Sequence, residues 1–252
     1  MTPELYRTET LAEVSRMAAE HIYETALEEV KRKNFFSLGL AGGKTPRLLY
    51  EFLAAPPISF RMPWENTHLF WGDERWVPSH HPDSNFAMAV QSLLSKIEIP
   101  STNIHPIPTN LESAEKGART YERTLQELVR LSLKKRDSFD LPTRSRTYAD
   151  LILLGMGEDG HTASLFPNSR ALAVTSRWVA AVEDITASPP VPRITLTLPF
   201  INRARNVIFL ISGAKKRAIS ESILREPINA ARLYPAARVR PQERLQWFIA
   251  EI

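Results

Sequence analysis

The chain has 252 residues, of which 43% are hydrophobic and 24% charged, as in a globular protein with a sizeable core. It contains no cysteine, which excludes disulfides, thiolate metal ligands and a cysteine nucleophile. The net charge of +4 favours anionic ligands. The basic residues are spread along the chain and form no nucleic-acid-binding motif, so we expect no nucleic-acid partner.

No apolar run approaches the roughly 18 residues that a membrane span needs. The first residues also lack the apolar core of a signal peptide. We therefore expect no membrane partner and a cytoplasmic location. We also expect a monomer or a weak dimer.

The chain begins with one long predicted helix. Thr10 and Glu13 have the spacing of a capping box, and apolar residues then recur at helical intervals to about Lys33. The apolar run 35–41 follows and predicts a buried strand that ends at a pair of glycines.

The later elements are predicted by the same two signals, helical spacing and short apolar runs. A helix is expected to restart with Thr45 as N-cap and Pro46 at the first helical position, and Asn110 is expected to cap another. Residues 134–147 are polar and predict an exposed loop. The other expected elements are helices at 84–95 and 214–224 and strands at 67–71, 103–107, 150–154, 178–182, 193–198, 206–212 and 245–251.

Strands that alternate with helices predict an α/β fold, with a mostly parallel, Rossmann-like doubly wound sheet and helices on both faces. We expect the whole chain, 1–252, to form one such domain. Ligands in this class bind beyond the carboxyl ends of the strands. Three polar loops follow predicted strands here, at 42–45, 72–75 and 155–161.

The first of these loops has the sequence AGGKTP (41–46). Gly42 and Gly43 would let the backbone approach an anion closely, and Lys44, the Thr45 hydroxyl and the helix N-terminus would supply donors. The loop lacks the spacing of a P-loop, and a Gly-Gly turn before a helix is often purely structural. It therefore predicts an anion site only together with other motifs.

The second loop, WGDERW (71–76), places three consecutive charged residues at a strand end. Burying unpaired charge is costly, so Asp73 and Arg75 either bridge to each other or face a ligand. Asn85 adds a polar group downstream. The adjacent His80 and His81 are poorly placed to bind one ion together, so we expect no metal site.

The third loop lies in LILLGMGEDGHTAS (151–164), where an apolar strand leads to His161. Residues 161–166 are expected to open a helix, whose N-terminus would attract an anion and lower the pKa of the histidine. A neutral histidine is what a general base near pH 7 requires. The alternatives are a structural histidine and a helix capped by Asp159. The other candidate ligand-binding residues of this loop are Gly157, Asp159 and Gly160.

Two further cations stand beside predicted strands. Arg193 begins a strand, and Lys215 follows another strand at a helix start, so either could bind a phosphate. Lys216 and Arg217 are expected to be solvated.

Five motifs occur in order along the chain: LAGGKTP (40–46), WGDERWV (71–77), DSN (83–85), LLGMGEDGHTASLFP (153–167) and RITLT (193–197). Together they resemble the 6-phosphogluconolactonase family, within the glucosamine-6-phosphate isomerase/6-phosphogluconolactonase superfamily. The resemblance runs from the first predicted helix to the last predicted strand. The second and fourth motifs are specific, whereas the glycine turn alone is not.

The resemblance implies hydrolysis of 6-phospho-D-glucono-1,5-lactone to 6-phospho-D-gluconate in the oxidative pentose phosphate pathway, with no metal and no cofactor. The partner would be a small sugar-phosphate lactone. His161 resembles the family's proposed general base, and Asp73 and Arg75 match its other active-site pair. The glycine loop lies where the family builds its sugar-phosphate pocket, with Arg193 and Lys215 as further candidates. Glu158 is then expected to be mainly solvent-facing.

Two alternatives stay open. An amino-sugar-phosphate deaminase/isomerase shares the fold, but such enzymes typically follow the Gly-His pair with Ala-Phe-Asn-Glu, and residues 162–167 read TASLFP. A non-catalytic sugar-phosphate-binding protein could lose the base, yet His161 and Asp73 are both present. The chain departs from the family at Lys44, where serine is frequent, and in a longer 134–147 loop.

Overall fold

The structure, a computed structural model, describes residues 2–135, 147–183 and 188–251. The strands in these residues are β1 (Glu4–Thr8), β2 (Phe36–Leu40), β3 (Thr67–Trp71), β4 (Asp73–Arg75), β5 (Ile104–His105), β6 (Ala149–Leu154), β7 (Val179–Val182), β8 (Arg193–Leu196), β9 (Ala204–Ile211) and β10 (Arg244–Ala250). The helices are α1 (Leu11–Lys33), α2 (Lys44–Leu53), α3 (Ile58–Arg61), α4 (Asn85–Ser92), α5 (Ala114–Lys134), α6 (Leu198–Ile201), α7 (Ala214–Arg225) and α8 (Pro227–Leu233).

Seven strands form one parallel sheet in the order β1-β10-β9-β6-β2-β3-β5. Every residue of β2 and β6 is buried. Because successive side chains of a strand point to opposite faces, helices must cover both faces of the sheet there. The predicted α/β fold with a mostly parallel sheet is therefore confirmed. No helix in the described segments is long and apolar enough to cross a membrane.

A second sheet was not predicted. Strands β4, β8 and β7 pair antiparallel in that order, apart from the main sheet. The strands expected at 178–182 and 193–198 therefore exist but do not join the parallel sheet, which corrects their predicted placement. The connection between them is shorter than the dozen or so residues that a parallel crossover needs, so antiparallel pairing is what the chain length allows.

The N-caps of α1 and α2 can be compared with the predicted ones. The Thr10 hydroxyl accepts from Glu13 N at 3.2 Å, and the Glu13 carboxylate accepts from Thr10 N at 3.1 Å, so the capping box of α1 is confirmed. Helix α2 begins at Lys44 with Gly43 as N-cap, so the prediction of Thr45 in that position is wrong.

The N-cap of α5 also lies at a different residue from the predicted one. Ser113 is its N-cap and accepts from Lys116 N at 3.2 Å, so the cap predicted at Asn110 is also wrong. The helix ends at Lys134, and most of the loop predicted at 134–147 lies outside the described residues.

A buried ion pair joins α1 to the amino end of the sheet. Lys33 Nζ lies 2.5 Å from Asp150 Oδ1, and both side chains are almost fully buried. The second carboxylate oxygen of Asp150 accepts from the backbone N–H and the hydroxyl of Ser37, each at 2.9 Å. The pair therefore holds the last residue of α1 against β6 and β2, at the end of the sheet where these strands begin.

Candidate active site

Strands β6, β2 and β3 are neighbours, so the three loops that follow them meet at the carboxyl end of the sheet. They surround a cavity of about 490 Å³. The predicted site residues that line it are Gly42, Gly43, Lys44, Thr45, Asp73, Arg75, Asn85, Gly157, His161 and Arg193. The other predicted residues, Asp159, Gly160 and Lys215, do not line it.

The glycine loop brings a helix N-terminus to the cavity wall. Gly43 has φ +96°, a left-handed conformation that side chains disfavour, and this turn lets α2 start at Lys44. No side chain caps the first turn of α2, and residues 43–46 all line the cavity. The free N–H groups and the helix dipole therefore favour an anion at this wall.

Gly42 allows a close contact with Asn85. A Cβ placed on Gly42 would overlap the side-chain amide of Asn85, which is 1% exposed. The Asn85 Nδ2 group donates to the Asp73 backbone oxygen at 2.8 Å and to Asp73 Oδ1 at 3.2 Å. Asn85, at the start of α4, thus bridges the first and second loops.

Asp73 is a buried carboxylate fixed from two sides. Its Oδ2 accepts from the hydroxyl of Ser164 at 2.6 Å, and its Oδ1 accepts from Asn85. Ser164 is fully buried, and its backbone N–H donates to the Thr195 hydroxyl at 3.1 Å. Ser164 therefore links the histidine loop to β4 and is not placed to act as an exposed nucleophile; sequence reasoning did not find this role.

Glu74 is a buried carboxylate that connects two elements of the site. It is 2% exposed and accepts from the backbone N–H groups of Arg75 and Asn85 and of Phe86, at 2.7–2.8 Å. Burial raises the pKa of Glu74, and these hydrogen bonds oppose that rise. The carboxylate thus caps α4 and holds its start against β4, a role that the run of three charges did not reveal.

Two arginines lie opposite each other on neighbouring strands of the second sheet. Arg75 of β4 and Arg193 of β8 are directly paired residues of antiparallel strands. Arg75 Nη1 donates to the Asp83 backbone oxygen at 2.6 Å, and Arg193 Nη2 donates to the Ser188 backbone oxygen at 2.9 Å. The Nε atom of each guanidinium is buried and has no hydrogen-bond partner in the described part of the chain.

This pairing has an electrostatic cost. Like charges directly opposite each other destabilise a sheet. Burial lowers the pKa of Arg193; Asp73 opposes that change and Arg75 adds to it. Since both arginines line the cavity, an anion bound there would relieve their repulsion.

The candidate base is His161, which is held by Asp159. His161 Nδ1 lies 2.5 Å from Asp159 Oδ1, which also accepts from the His161 backbone N–H at 3.0 Å. Partial burial alone would raise the pKa of Asp159, but the hydrogen bonds from His161 lower it below its ordinary value. A carboxylate at Nδ1 favours the tautomer with its proton there, which leaves the lone pair on Nε2.

The helix predicted at 161–166 is absent, which corrects the sequence interpretation. Ala163 has φ +48°, and Thr162 and Leu165 form an isolated antiparallel bridge, so the chain makes a tight turn. The Thr162 hydroxyl donates to the Gly155 backbone oxygen at 2.8 Å and holds this turn against the end of β6. The expected influence of a helix N-terminus on His161 therefore does not apply, and the alternative of Asp159 as a helix cap is also wrong.

The start of α7 places its lysines differently from the prediction. Lys216 lines the cavity, whereas Lys215 lies outside the lining and donates to Glu158 Oε2 at 3.0 Å. Successive residues of a helix point about 100° apart, so the two adjacent lysines leave α7 in different directions. Lys216 was expected to be solvated. Glu158 is exposed as predicted, at 62% of its side chain, but it also lines the cavity.

Metal ligands do not gather in this cavity. In residues 2–135, 147–183 and 188–251, no group of three or more histidine or acidic side chains could hold a metal ion. His81 instead accepts from the Asp83 backbone N–H at 3.1 Å. The site as described consists of one histidine, two carboxylates, several cations and a helix N-terminus.

Comparisons with known proteins identify the family of the chain. A family model described as glucosamine-6-phosphate isomerases/6-phosphogluconolactonase matches residues 9–247. The chain is 42% identical over 213 residues to 6-phosphogluconolactonase of Synechocystis sp., covering 84% of this chain and 81% of that protein. It is 38% identical over 245 residues to probable 6-phosphogluconolactonase 1 of Arabidopsis thaliana, covering 96% and 88%.

A solved structure gives the same result for the fold. The crystal structure of 6-phosphogluconolactonase from Thermotoga maritima has a TM-score of 0.80 and 32% identity, and the match covers 99% of this chain and 100% of that one. The family model spans almost the whole chain, including all three loops of the cavity. The chain therefore belongs to the family of glucosamine-6-phosphate isomerases and 6-phosphogluconolactonases, as its motifs predicted.

Proposed function

We propose that this chain hydrolyses 6-phospho-D-glucono-1,5-lactone to 6-phospho-D-gluconate, in the oxidative pentose phosphate pathway, with His161 as general base. The observation that carries the proposal is His161, oriented by Asp159 in a cavity lined by arginines and lysines. The names of the relatives from Synechocystis sp. and Thermotoga maritima support the same activity.

The chemistry needs a positioned water and little else. With Nδ1 tied to Asp159, His161 Nε2 can take a proton from water as it attacks the lactone carbonyl carbon. The ring C–O bond then breaks, and the proton passes to the released ring oxygen. Asp159 stabilises the imidazolium that forms in between, because its carboxylate stays at Nδ1.

The cations would stabilise negative charge at both ends of the reacting molecule. The attacked carbonyl oxygen gains charge in the transition state, and the phosphate carries charge throughout. Arg75 and Arg193 form one cationic wall, and the N-terminus of α2 with Lys44 forms another. We propose that the sugar phosphate spans these walls, with Asp73 orienting the water or a neighbouring donor.

The direct experiment is a lactonase assay on freshly generated 6-phosphogluconolactone, corrected for spontaneous hydrolysis. We expect rapid hydrolysis and no turnover of glucosamine 6-phosphate. Turnover of the amino sugar would favour a deaminase/isomerase instead. Tight binding of the lactone without turnover would favour the non-catalytic alternative.

Replacing Arg75 by alanine is expected to weaken recognition of the phosphate. The variant removes one of two facing guanidinium groups, so KM for the phosphorylated lactone should rise by roughly tenfold or more. An unphosphorylated gluconolactone should be affected much less. Arg47→Ala, which removes an exposed arginine paired with Glu51 outside the cavity, is the matched control. Equal losses on both lactones would show that Arg75 does not hold the phosphate.

Replacing Gly42 by alanine is expected to displace Asn85 and, with it, Asp73. A shift of about 1 Å in a positioning group can cost on the order of 10²-fold in rate, so we expect kcat/KM to fall by about that factor. Ala54→Gly is the control, because it changes one methyl group at the C-terminal end of α2, outside the cavity. Similar kinetics for both variants would mean that the contact with Asn85 does not position the site.

We also propose a cytoplasmic location, a monomer or weak dimer, and a single domain over 1–252. One hydrophobic cluster that runs from Val14 to Ala250 supports the single domain. Some plant relatives are named as chloroplastic, so the compartment of this chain needs its own localisation experiment. Sedimentation over a range of concentrations would give the oligomeric state, and a single cooperative unfolding transition is expected.

A further inference from the structure

In the described part of the chain, two carboxylates line the cavity, and their surroundings differ. Asp73 is buried, and both of its oxygens accept hydrogen bonds from protein side chains. Glu158 has a side chain that is 62% exposed, and its Oε2 accepts from Lys215 Nζ at 3.0 Å. Because Lys215 is outside the lining, its ammonium group meets this carboxylate at the rim of the cavity.

Glu158 is a close neighbour of the proposed base in the chain. It lies on the same tight turn as His161, which is closed by hydrogen bonds from Gly157 N to the His161 oxygen at 2.9 Å and from Gly160 N to the Gly157 oxygen at 3.1 Å. The paired arginines Arg75 and Arg193 do not belong to this turn but to the strands β4 and β8. This turn carries two carboxylates: Asp159 holds His161, whereas Glu158 lines the cavity, where its charge would repel an anion.

Hydrolysis changes the charge of the ligand at one end only. Water adds to the carbonyl carbon, the ring C–O bond breaks, and the released oxygen takes up a proton. The carboxylic acid that forms loses its proton at neutral pH. The product therefore has a carboxylate where the substrate has a neutral ester, whereas the phosphate is the same in both.

We infer that Glu158 selects substrate over product by repelling the carboxylate that hydrolysis creates. The inference rests on the proposed lactonase function. Repulsion between two carboxylates weakens binding of the product, and binding of the lactone is affected much less because its reacting end is neutral. Any repulsion between Glu158 and the phosphate is common to both ligands and cancels in the ratio of their affinities.

Lys215 reduces the repulsion that Glu158 exerts on the product carboxylate. Its ammonium group lies close enough to Glu158 to offset part of the negative charge that the cavity experiences. Removing Lys215 should therefore act in the opposite direction from removing the charge of Glu158. Because both side chains are exposed, added salt should weaken both effects.

The test is the ratio of the inhibition constant of 6-phosphogluconate to KM for the lactone, measured near neutral pH at low and high salt. Glu158→Gln is expected to lower this ratio by roughly three- to tenfold, because the product binds more tightly. Lys215→Met is expected to raise it by roughly twofold. Both shifts should shrink at high salt.

Glu112→Gln and Lys116→Met are the matched controls. These residues form an equivalent ion pair at 2.8 Å beside α5, outside the cavity, and their variants should leave the ratio unchanged. An unchanged ratio in Glu158→Gln, or an equal change in the controls, would overturn the inference while leaving the lactonase function intact.

A wild-type protein that does not hydrolyse the lactone would overturn the proposed function instead. Calorimetric titration with 6-phosphogluconate then still measures the electrostatic effect of Glu158. Tighter binding to Glu158→Gln than to the wild type would support repulsion of the carboxylate, and equal binding would reject it.

Discussion

Replacing His161 by alanine is expected to lower kcat for lactone hydrolysis by about 10²- to 10⁴-fold, the usual contribution of a general base. The loss follows from the position of His161 in the cavity, with Asp159 at Nδ1 and Nε2 left to accept a proton. The fold should survive, since the side chain is 28% exposed. Binding of the phosphate should also survive, because the arginines and the α2 N-terminus are unchanged.

The measurement is initial velocity on freshly generated lactone, with subtraction of the spontaneous rate. His80→Ala is the matched control, because His80 is exposed and does not line the cavity. Circular dichroism and calorimetric binding of 6-phosphogluconate would show that each variant is folded and competent to bind. Full activity in a folded His161→Ala protein would reject this residue as the base.

Replacing Asp150 by alanine is expected to lower the free energy of unfolding by about 3–5 kcal/mol, the typical result of removing one member of a buried ion pair. The variant takes away the carboxylate that lies 2.5 Å from Lys33 Nζ. It also removes the acceptor for the Ser37 backbone N–H and hydroxyl. Denaturant unfolding followed by circular dichroism would give the loss directly.

A double variant separates the charge effect from a simple cavity. Lys33→Met with Asp150→Leu removes both charges and fills part of the space, so it should be more stable than Asp150→Ala alone. The kcat of folded molecules should change little in either variant, because the pair lies at the opposite end of the sheet from His161. A double variant no more stable than Asp150→Ala would mean that the buried ammonium group is not the source of the loss.

The sequence predicts an element correctly where its formation depends on residues close to it along the chain. The capping box of α1 needs only Thr10 and Glu13, and the apolar runs of β2 and β6 show directly that both faces of the sheet are covered. Strand β1 was missed because the residues 4–8, ELYRT, lie at an edge and are only partly buried. An edge strand lacks the continuous apolar run that marks a central one.

The second sheet depends on partners far apart in the chain. The apolar pattern of β7 and β8 is that of a buried strand and does not say which neighbour it will pair with. The facing position of Arg75 and Arg193 follows from that pairing, so the sequence could name both residues but could not place them together.

The histidine turn shows a different limit of sequence reasoning. Small residues after His161 are compatible with a helix, but Ala163 takes a left-handed conformation that its residue type does not predict. Lys215 and Lys216 differ by a single position, and the direction of each depends on where α7 begins. The order of the motifs along the chain indicates the family, whereas the direction of each side chain depends on the three-dimensional fold.

The pairing of β1 with β10 has a consequence for synthesis of the chain. Gln246 Nε2 of β10 donates to Glu4 Oε2 of β1 at 2.8 Å, across 242 positions of sequence. Strand β1 is translated before the other strands of this sheet, yet its hydrogen-bonding edge has no partner until β10 has been translated and has docked on β9. Contacts at such a separation form slowly. Strand β1 therefore stays unpaired while the residues between it and β10 are translated, which makes this edge of the sheet the last part of it to form.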